Sequence, residues 1–317
     1  MNNAQKVREE TVERVQAAMA QLNYQPNMVA RSLTTRKTMQ IGIVLEDIRN
    51  PYYGEIVEYF QAAASAKGYF VNICTGTKDL DHYLDNFIIR RLDGVFVAVL
   101  PHMFDISKLD HLLENDIKVL VSGNTDVDYR RFSSIENDYQ SAMQQAVRHL
   151  ADLGHREIIY LSGLSHEMRY DLRCGAYQQQ MEQLGLTPCI IDGDPPYQTN
   201  VRSGYRQACR LLESGMPFSA VLCGNDLMAI GAMRTFFEHG LHVPDDVSVV
   251  GFDGIDLGRY QMPSLTTFAV EAKVFGEKAF DLLYRAMTQE TTGFYSNKLK
   301  LIPGESTAAP RAAVKNI

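Results

Sequence analysis

The stretch IGIVLEDIRNPYY, residues 41–53, decides the fold class. Its first five residues are continuously apolar and end at the polar pair Glu46 and Asp47, as expected of a strand buried on both faces of a parallel sheet. The apolar side chains that follow recur every three or four residues until Gly68, which predicts a helix. A second apolar strand is predicted at 69–74, and the strand–helix–strand order favours an α/β fold.

The same alternation of strands and helices continues along the chain. After a predicted helix at 139–153 the cycle starts again, so the simplest architecture is two doubly wound parallel-sheet subdomains in succession. The further predicted strands are at 94–99, 118–121, 158–162, 189–192, 220–223, 247–252, 265–270 and 298–302. The further predicted helices are at 80–91, 109–115, 174–184, 201–212, 227–239 and 271–287. Ligands of such sheets bind beyond the carboxyl ends of the strands, so two facing subdomains predict a binding cleft between them.

The first 38 residues have a different pattern and predict a small helical unit. A helix predicted at 9–22 ends at Asn23, and Pro26 separates it from a short helix at about 27–34. The second helix is too short to be stable alone in water and therefore requires a partner surface. The three predicted parts of the chain are the helical unit 1–38, an N-terminal core subdomain of 39–137 plus about 268–295, and a C-terminal core subdomain of 138–267 plus about 296–317.

The composition is that of an ordinary globular protein. The chain has 317 residues, of which 45% are hydrophobic and 22% charged, enough for two domains with a buried core. No apolar run approaches the roughly 18 residues of a membrane span, and no apolar signal segment opens the chain, so we expect a cytoplasmic protein without a membrane partner. The five cysteines include no CxxC pair, which favours reduced thiols, and we expect neither a metal nor a cofactor.

Charge is distributed unevenly along the chain. Residues 1–38 carry six Lys and Arg against three Glu, a net charge of +3, within a chain of net charge −7, so the remainder carries −10. A basic end on an acidic body is typical of a nucleic-acid contact at that end. A helix pair that is basic by chance would have the same charge, so charge alone leaves both interpretations open.

The motifs of enzyme chemistry are incomplete in this sequence. Neither GxGxxG nor GxxxxGK[ST] occurs, so the glycine cradles for nucleotide phosphates are missing. Residues 163–167 (GLSHE) begin like a nucleophile elbow but lack its second glycine. Residues 166–170 (HEMRY) begin like a zinc-binding helix but have Tyr170 in place of the second histidine. These patterns weigh against an enzyme.

Several motifs in a fixed order resemble the lac and galactose repressor family. Those that resemble the end of its DNA-binding headpiece and its hinge helix are 22–27 (LNYQPN) and 29–33 (VARSL). Those that resemble its sugar-binding core are 39–44 (MQIGIV), 47–53 (DIRNPYY), 225–232 (NDLMAIGA), 249–253 (VVGFD) and 263–267 (PSLTT). The resemblance covers essentially the whole chain. It implies two subdomains like those of type I periplasmic binding proteins, preceded by a remnant helical headpiece and a hinge helix.

The resemblance also implies which residues contact DNA. In this family two hinge helices, one from each subunit, enter the minor groove and insert an apolar side chain between the bases. The residues that match DNA-contacting positions are Tyr24, Asn27, Ala30, Arg31 and Leu33. Leu33 matches the inserted wedge, whereas from the residues alone its packing on its own domain through Val29 is the simpler interpretation.

The resemblance implies a ligand site in the cleft, formed by Asp47, Tyr52, Tyr53, Arg173, Asn225 and Asp253. Asp253 matches a carboxylate that accepts hydrogen bonds from ligand hydroxyls, and Asn225 matches an amide that donates and accepts. Arg173, in the pattern RxxAY, matches an arginine whose planar fork suits vicinal oxygens or a carboxylate. The two tyrosines match a wall against the ligand. Taken alone, an Asp before Gly254 could equally be a turn-forming residue.

Two departures from the family pattern affect the expected function. Gly123 lies near a position where the family often has Asp, whereas Glu46 and Asp47 place carboxylates at the opposite strand end, so the ligand's hydrogen-bond pattern is expected to differ from that of common sugars. The resemblance also begins inside the headpiece, after about 20 residues of the family's helix-turn-helix pattern. We therefore expect minor-groove and phosphate contacts from this chain without direct base readout.

Together these features predict a ligand-responsive transcriptional regulator, a repressor. It would bind a small polar effector, a sugar or sugar derivative, in the cleft and couple that binding to operator DNA. Residues 309–317 contain no leucine heptad, so a homodimer is expected rather than a tail-bundled tetramer. The alternatives are a solute-binding protein with the same core, which would need an export signal, and a sugar-modifying enzyme.

Overall fold

The computed structural model describes residues 8–24, 32, 34–98, 105–122, 130–165, 172–195 and 197–311. In these residues the chain forms two six-stranded sheets. The first sheet contains β1 (Gln40–Leu45), β2 (Phe70–Thr75), β3 (Gly94–Val97), β4 (Lys118–Ser122), β5 (Ser133–Asn137) and β11 (Phe294–Asn297). The second contains β6 (Ile158–Leu161), β7 (Cys189–Ile191), β8 (Ala220–Cys223), β9 (Ser248–Asp253), β10 (Thr266–Ala269) and β12 (Lys300–Ile302).

Helices connect the strands, as the alternating pattern predicts. They are α1 (Glu9–Gln21), α2 (Pro51–Ala66), α3 (Leu80–Ile89), α4 (Ser107–Glu114), α5 (Tyr139–Asp152), α6 (Leu172–Gln183), α7 (Val201–Glu213), α8 (Asp226–Glu238), α9 (Asp256–Arg259) and α10 (Ala272–Gln289). A 3-10 turn, Thr77–Asp79, precedes α3. None of the helices in the described ranges is long and apolar enough to cross a lipid bilayer.

The two sheets have the same strand order. The first runs β2-β1-β3-β4-β5-β11 and is parallel throughout; the second runs β7-β6-β8-β9-β10-β12 and is parallel except for β12. In each sheet the order reverses beside the first strand, β1 or β6, which is the switch point where doubly wound sheets bind ligands. The predicted fold class, two doubly wound parallel-sheet subdomains, is confirmed.

Two strands were not predicted. β5 (SSIEN) and β11 (FYSN) pair with each other at one edge of the first sheet. Both are rich in polar residues and short, so they lack the apolar run by which a buried strand is recognised in sequence. They form a sheet because the neighbouring strand β4 supplies backbone partners for β5.

The chain crosses between the sheets three times. It leaves the first sheet after β5, returns after β10 to form α10 and β11, and crosses again before β12. The second and third crossings lie at 270–271 and 298–299, and the subdomain boundaries expected at about 268 and about 296 stay predictions.

The N-terminal helix α1 buries little surface of its own. Its apolar stripe is half-buried at Val12 and Met19 and exposed at Val15, and Leu22, just beyond its end, is 77% exposed. Asn23 ends it in the left-handed region with φ 50°, as the sequence predicts. Of the short hinge helix, Ser32 and residues 34–35 are helical, and the rest lies outside the described residues.

The segment that leads into the core is tied to the first sheet by Asp93. The Asp93 carboxylate accepts the Thr38 N–H at 2.8 Å, the Thr38 hydroxyl at 3.0 Å and the Met39 N–H at 3.1 Å. The Thr38 hydroxyl also lies 2.9 Å from the carbonyl oxygen of Arg91. These bonds attach the hinge end of the chain to the amino ends of β1 and β3.

Candidate functional site

A polar cluster lies where the carboxyl ends of strands from both sheets meet. From the first sheet it receives Glu46, directly after β1, and Asn137, the last residue of β5. From the second it receives Asp253, the last residue of β9, and the loop after β8. The Asn50 side chain lies close enough to the Asp253 carboxylate to lower its pKa, so side chains of the two subdomains face each other here. This is the position at which the fold predicts a ligand.

Tyr52 and Tyr53 occupy the first turn of α2. Their rings meet edge to face with centroids 5.0 Å apart. The Tyr53 hydroxyl donates to Glu46 Oε2 at 3.2 Å, and the Tyr52 hydroxyl accepts from Asn137 Nδ2 at 2.8 Å. They lie here because Asn50 caps the helix through the Tyr52 N–H at 3.1 Å and Pro51 fits its first position.

Asp253 has a backbone conformation that residues other than glycine rarely adopt. Its φ is 115°, and Gly254 follows with φ 79°. Such a residue stores of order 1–3 kcal/mol of strain and persists only where its surroundings enforce it. Asp226 enforces it, because its Oδ2 accepts the Gly254 N–H at 2.8 Å and the Ile255 N–H at 2.9 Å. Asp226 is fully buried and also accepts the Thr267 hydroxyl at 2.5 Å.

Asn225 lies in the loop after β8, and its side chain already forms hydrogen bonds within the second subdomain. It caps α8, accepting the Met228 N–H at 3.0 Å, and its Nδ2 donates to the Thr199 carbonyl at 3.0 Å. A ligand could therefore use only its remaining lone pair and N–H. Arg173 donates to the Gly224 carbonyl at 2.8 Å, and its guanidinium carbon lies 4.8 Å from the centroid of the Tyr139 ring.

Asp47 differs from the other residues predicted for the cleft. Its carboxylate forms a double hydrogen bond with Arg49, with Nε–Oδ1 at 2.9 Å and Nη2–Oδ2 at 2.8 Å, and its side chain is 32% exposed. The Arg49 contact lowers the pKa of Asp47 below its usual range. The carboxylate that bonds to Tyr53 is that of its neighbour Glu46, because successive residues leaving a strand point in opposite directions.

Four residues of the cluster were missed as site residues. Asn137, Asn50, Tyr139 and Asp226 all lie in it, and Asn137 Nδ2 also reaches the Tyr139 hydroxyl at 3.3 Å. Asn297 Nδ2 donates to Asn137 Oδ1 at 3.0 Å, so the last residue of β11 holds the Asn137 side chain in the cluster. Asn137 and Asn297 are the last residues of the two unpredicted strands, so the sequence did not indicate that they lie at the sheet edge that forms the site. For Asn50 and Asp226 the sequence held a signal, a polar residue beside a strand end at the start of a helix.

Burial controls the ionisation of the cluster. Burial raises the pKa of Asp253 well above its usual value, and nearby Asp226 raises it further, while Arg173 and Asn50 oppose the shift. Burial also raises the pKa of Asp226 to about 7. Burial also raises the pKa of Glu46, while the Tyr53 hydroxyl and Arg173 oppose that shift. Burial raises the pKa of Tyr139 to about 12.

Of the residues predicted to contact DNA, Tyr24 is described, and its side chain is 59% exposed just after α1. The predicted contacts at Asn27, Ala30, Arg31 and Leu33 lie outside the described residues. Gly123, where the family often has Asp, does as well.

Comparisons with known proteins agree with this architecture. Residues 147–307 match the model of the periplasmic binding protein-like domain, and residues 1–27 match that of bacterial regulatory proteins of the lacI family. The HTH-type transcriptional repressor PurR of Proteus mirabilis (strain HI4320) is 32% identical over 89% of this chain and 83% of its own length. The chain belongs to the lacI family.

Other members of the lacI family match the chain over a similar length. The catabolite control protein A of Priestia megaterium is 27% identical over 92% of this chain and 88% of its own. A solved structure of the lac repressor dimer bound to operator and the anti-inducer ONPF has a TM-score of 0.82 and 27% identity, covering 97% of this chain and 93% of that one. The relatives named here are regulators rather than enzymes, which agrees with the interpretation of the incomplete catalytic motifs.

Proposed function

We propose that this lacI-family chain is a cytoplasmic homodimeric repressor whose affinity for operator DNA is set by a small polar effector in the cleft between its subdomains. The observation that supports this most directly is the polar cluster formed by Asn50, Tyr52, Asn137, Arg173 and Asp253. Its members come from both subdomains, so a ligand that bonds to them changes the free energy of closure.

Closing of the cleft can alter DNA binding through the first subdomain. The cluster includes the residues after β1, and the hinge end of the chain enters at the other end of the same strand, where Asp93 holds it. A rotation of this subdomain therefore moves the hinge segments of both subunits relative to each other, which shifts the population able to enter the minor groove. Effector and DNA must then alter each other's affinity by the same factor.

The homodimer is supported by the architecture of a relative and by the surface of this chain. The similar lac repressor structure is of a dimer bound to operator. On the second subdomain Leu257, Tyr260 and Met262 expose 46%, 81% and 96% of their surface within six residues of one another. Exposed apolar side chains that are grouped in this way are typical of interaction surfaces.

The DNA-binding part of the proposal is tested with genomic DNA. The protein is expressed from its genomic reading frame, mixed with fragments of the same genome, and the bound fragments are sequenced at roughly 50 and 200 mM salt. We expect fragments that share a two-fold symmetric motif, recovered less well at the higher salt because released counterions drive binding. Sedimentation velocity should show a dimer. Recovery of random sequence at both salts, or a monomer, contradicts the proposal.

The effector part is tested by Asp253→Ala. A panel of small polar metabolites is measured by thermal shift with the wild-type chain and the variant. We expect a metabolite that raises the Tm of wild type, because binding to the folded state stabilises it by mass action, and no shift in Asp253→Ala. The same compound should change the affinity for the recovered DNA. An equal Tm shift in the variant would remove Asp253 from the site.

A further inference from the structure

We infer that Asn297 determines which kind of group the cleft binds beside Tyr52 and Tyr139: a hydrogen-bond acceptor such as a carboxylate, and not a pure donor such as an amine. The inference rests on the proposed function, in which the cleft is the effector site. It goes further by naming the chemistry of one group of the effector and the residue that selects for it.

The first step is the orientation of the Asn137 amide. Asn137 and Asn297 are direct partners in the parallel pairing of β5 with β11. Asn297 Nδ2 donates to Asn137 Oδ1 at 3.0 Å, and the two residues are only 6% and 3% exposed, so water competes little for these atoms. An amide carries its oxygen and its nitrogen on different sides. Asn297 therefore keeps the Asn137 oxygen to itself and leaves the nitrogen for the tyrosines.

The second step is a count of protons on the two tyrosine hydroxyls. Asn137 Nδ2 lies 2.8 Å from the Tyr52 hydroxyl and 3.3 Å from the Tyr139 hydroxyl, and it has one hydrogen for each. Both hydroxyls accept from Asn137 and keep their own protons. They can share at most one proton with each other, so at least one O–H requires another acceptor. Among the residues described, these hydroxyls bond to Asn137 and to each other.

The proton that remains belongs to Tyr139. Burial raises the pKa of both tyrosines, that of Tyr139 to about 12, but the bond between their hydroxyls raises the pKa of Tyr52 and lowers that of Tyr139. These directions are those of a bond in which Tyr52 donates and Tyr139 accepts. The guanidinium carbon of Arg173 lies 4.8 Å from the centroid of the Tyr139 ring, so a second group that can only donate is close by.

A ligand group at Tyr139 therefore meets donors. A carboxylate has only acceptor atoms at neutral pH and can take the Tyr139 proton. An ammonium group has only donors, so it would leave that O–H without a partner in a buried site, which costs binding free energy. A hydroxyl group can donate or accept, so its affinity should lie between the two.

The test compares probes that differ in one group. D-Glucuronate, D-glucose and 6-amino-6-deoxy-D-glucose, with the matching galactose trio, are added to the full chain at pH 7, and binding is measured by thermal shift and calorimetry. We expect an acid to raise the Tm and to bind about tenfold more tightly than its amine, with the hydroxyl sugar in between. Tyr139→Phe should abolish that preference, because it removes the proton that the acid accepts.

Asn297→Leu tests the positioning role. Leu is similar in size but cannot donate, so the Asn137 amide can turn its oxygen to the tyrosines and accept the Tyr139 proton itself. The preference for the acid should fall about tenfold, and adding Tyr139→Phe should change it no further. A merely structural role would weaken all three probes alike. Asn115→Leu is the matched control, because Asn115 is exposed at the end of α4. Asn297→Val, which also lacks a donor, replaces the Leu variant if that variant does not fold.

An amine that binds as tightly as its acid overturns the inference, and so does a panel in which no acid raises the Tm. A preference for the acid that persists in Asn297→Leu removes Asn297 as its determinant. A probe whose binding needs Asp253 but shows no preference for the acid overturns the inference and leaves the effector site in place, whereas failure to recover operator DNA overturns the repressor function itself.

Discussion

At the scale of single residues, the site depends on a carboxylate that does not face the cleft. Asp226 accepts two backbone N–H groups and one hydroxyl, and these bonds fix the turn that places Asp253. Gly251 lies beside it, and a Cβ at that position would come within 2.2 Å of Asp226 Oδ1. The local sequence therefore makes room for a buried carboxylate, and the buried carboxylate holds a strained residue whose side chain faces the other subdomain.

Asp226 should make stability depend on pH. Burial raises its pKa from 3.8 in the unfolded chain to about 7, so the folded state holds the proton more tightly. Its contribution to stability is fully present below pH 3.8 and is lost as pH rises through 7, by up to about 4 kcal/mol. Asp226→Asn should lack this loss when urea unfolding is compared at pH 5 and 8. Asp85→Asn, at an exposed site on α3, should follow wild type. A difference between wild type and Asp226→Asn that stays constant with pH would contradict the assignment.

At the scale of secondary-structure elements, two glycines set the distance between helices α7 and α8. A Cβ on Gly204 would lie 2.0 Å from the Met228 carbonyl oxygen, and one on Gly231 would lie 2.0 Å from that of Val201. Both obstacles are backbone atoms, which cannot rotate away. The close approach brings the start of α8, with Asn225 and Asp226, against the second sheet.

Gly231→Ala should therefore destabilise the fold in spite of the higher helix propensity of Ala. We expect a loss of about 3 kcal/mol in the free energy of unfolding by urea, since the helices must separate. Gly175→Ala is the matched control: it is also in a helix, and its added Cβ meets nothing within 4 Å. It should gain up to about 1 kcal/mol from propensity alone. Equal effects of the two substitutions would show that the helices do not depend on the glycine contact.

The C-terminal segment is tied down by a buried histidine. His155 is 1% exposed, with Nδ1 2.9 Å from Ser219 Oγ and Nε2 3.0 Å from Ser248 Oγ and 2.9 Å from the carbonyl oxygen of Ala308. Burial lowers its pKa, so the unfolded chain binds the proton more readily. Its contribution is present above pH 6.5 and is lost as pH falls, at most about 1.4 kcal/mol per pH unit. His155→Gln should flatten the dependence of the free energy of unfolding on pH between 7.5 and 5. An unchanged slope would show that His155 does not titrate on unfolding.

At the scale of the whole molecule, function requires that the DNA-binding end follow the movements of the core. Three hydrogen bonds from Thr38 and Met39 to Asp93 make this attachment, and Met39 adopts a φ of 57° there. Each bond is worth about 1 kcal/mol, so without them the segment should open locally far more often.

Asp93→Ala should expose this attachment to protease. Arg36 and Lys37 are exposed trypsin sites directly before it. We expect cleavage after these residues to accelerate severalfold in limited trypsin digestion, while the Tm of the core changes little. Asp85→Ala is the control for loss of an Asp elsewhere in the first subdomain. Equal cleavage rates in the two variants would mean that other contacts hold the segment.

The sequence by itself determined the fold class and most of the elements, because the apolar runs of buried parallel strands and the three- and four-residue steps of helices are local patterns. It also determined the family, through motifs such as 47–53 and 225–232. It could not show β5 and β11, whose polar residues become strands only when β4 and the rest of the sheet provide hydrogen-bond partners. Nor could it separate Glu46 from Asp47, since the direction of each side chain is set by how the strand end meets Tyr53 and Arg49. The polar cluster brings together residues from 46 to 253, and contacts across that separation exist only in the tertiary structure.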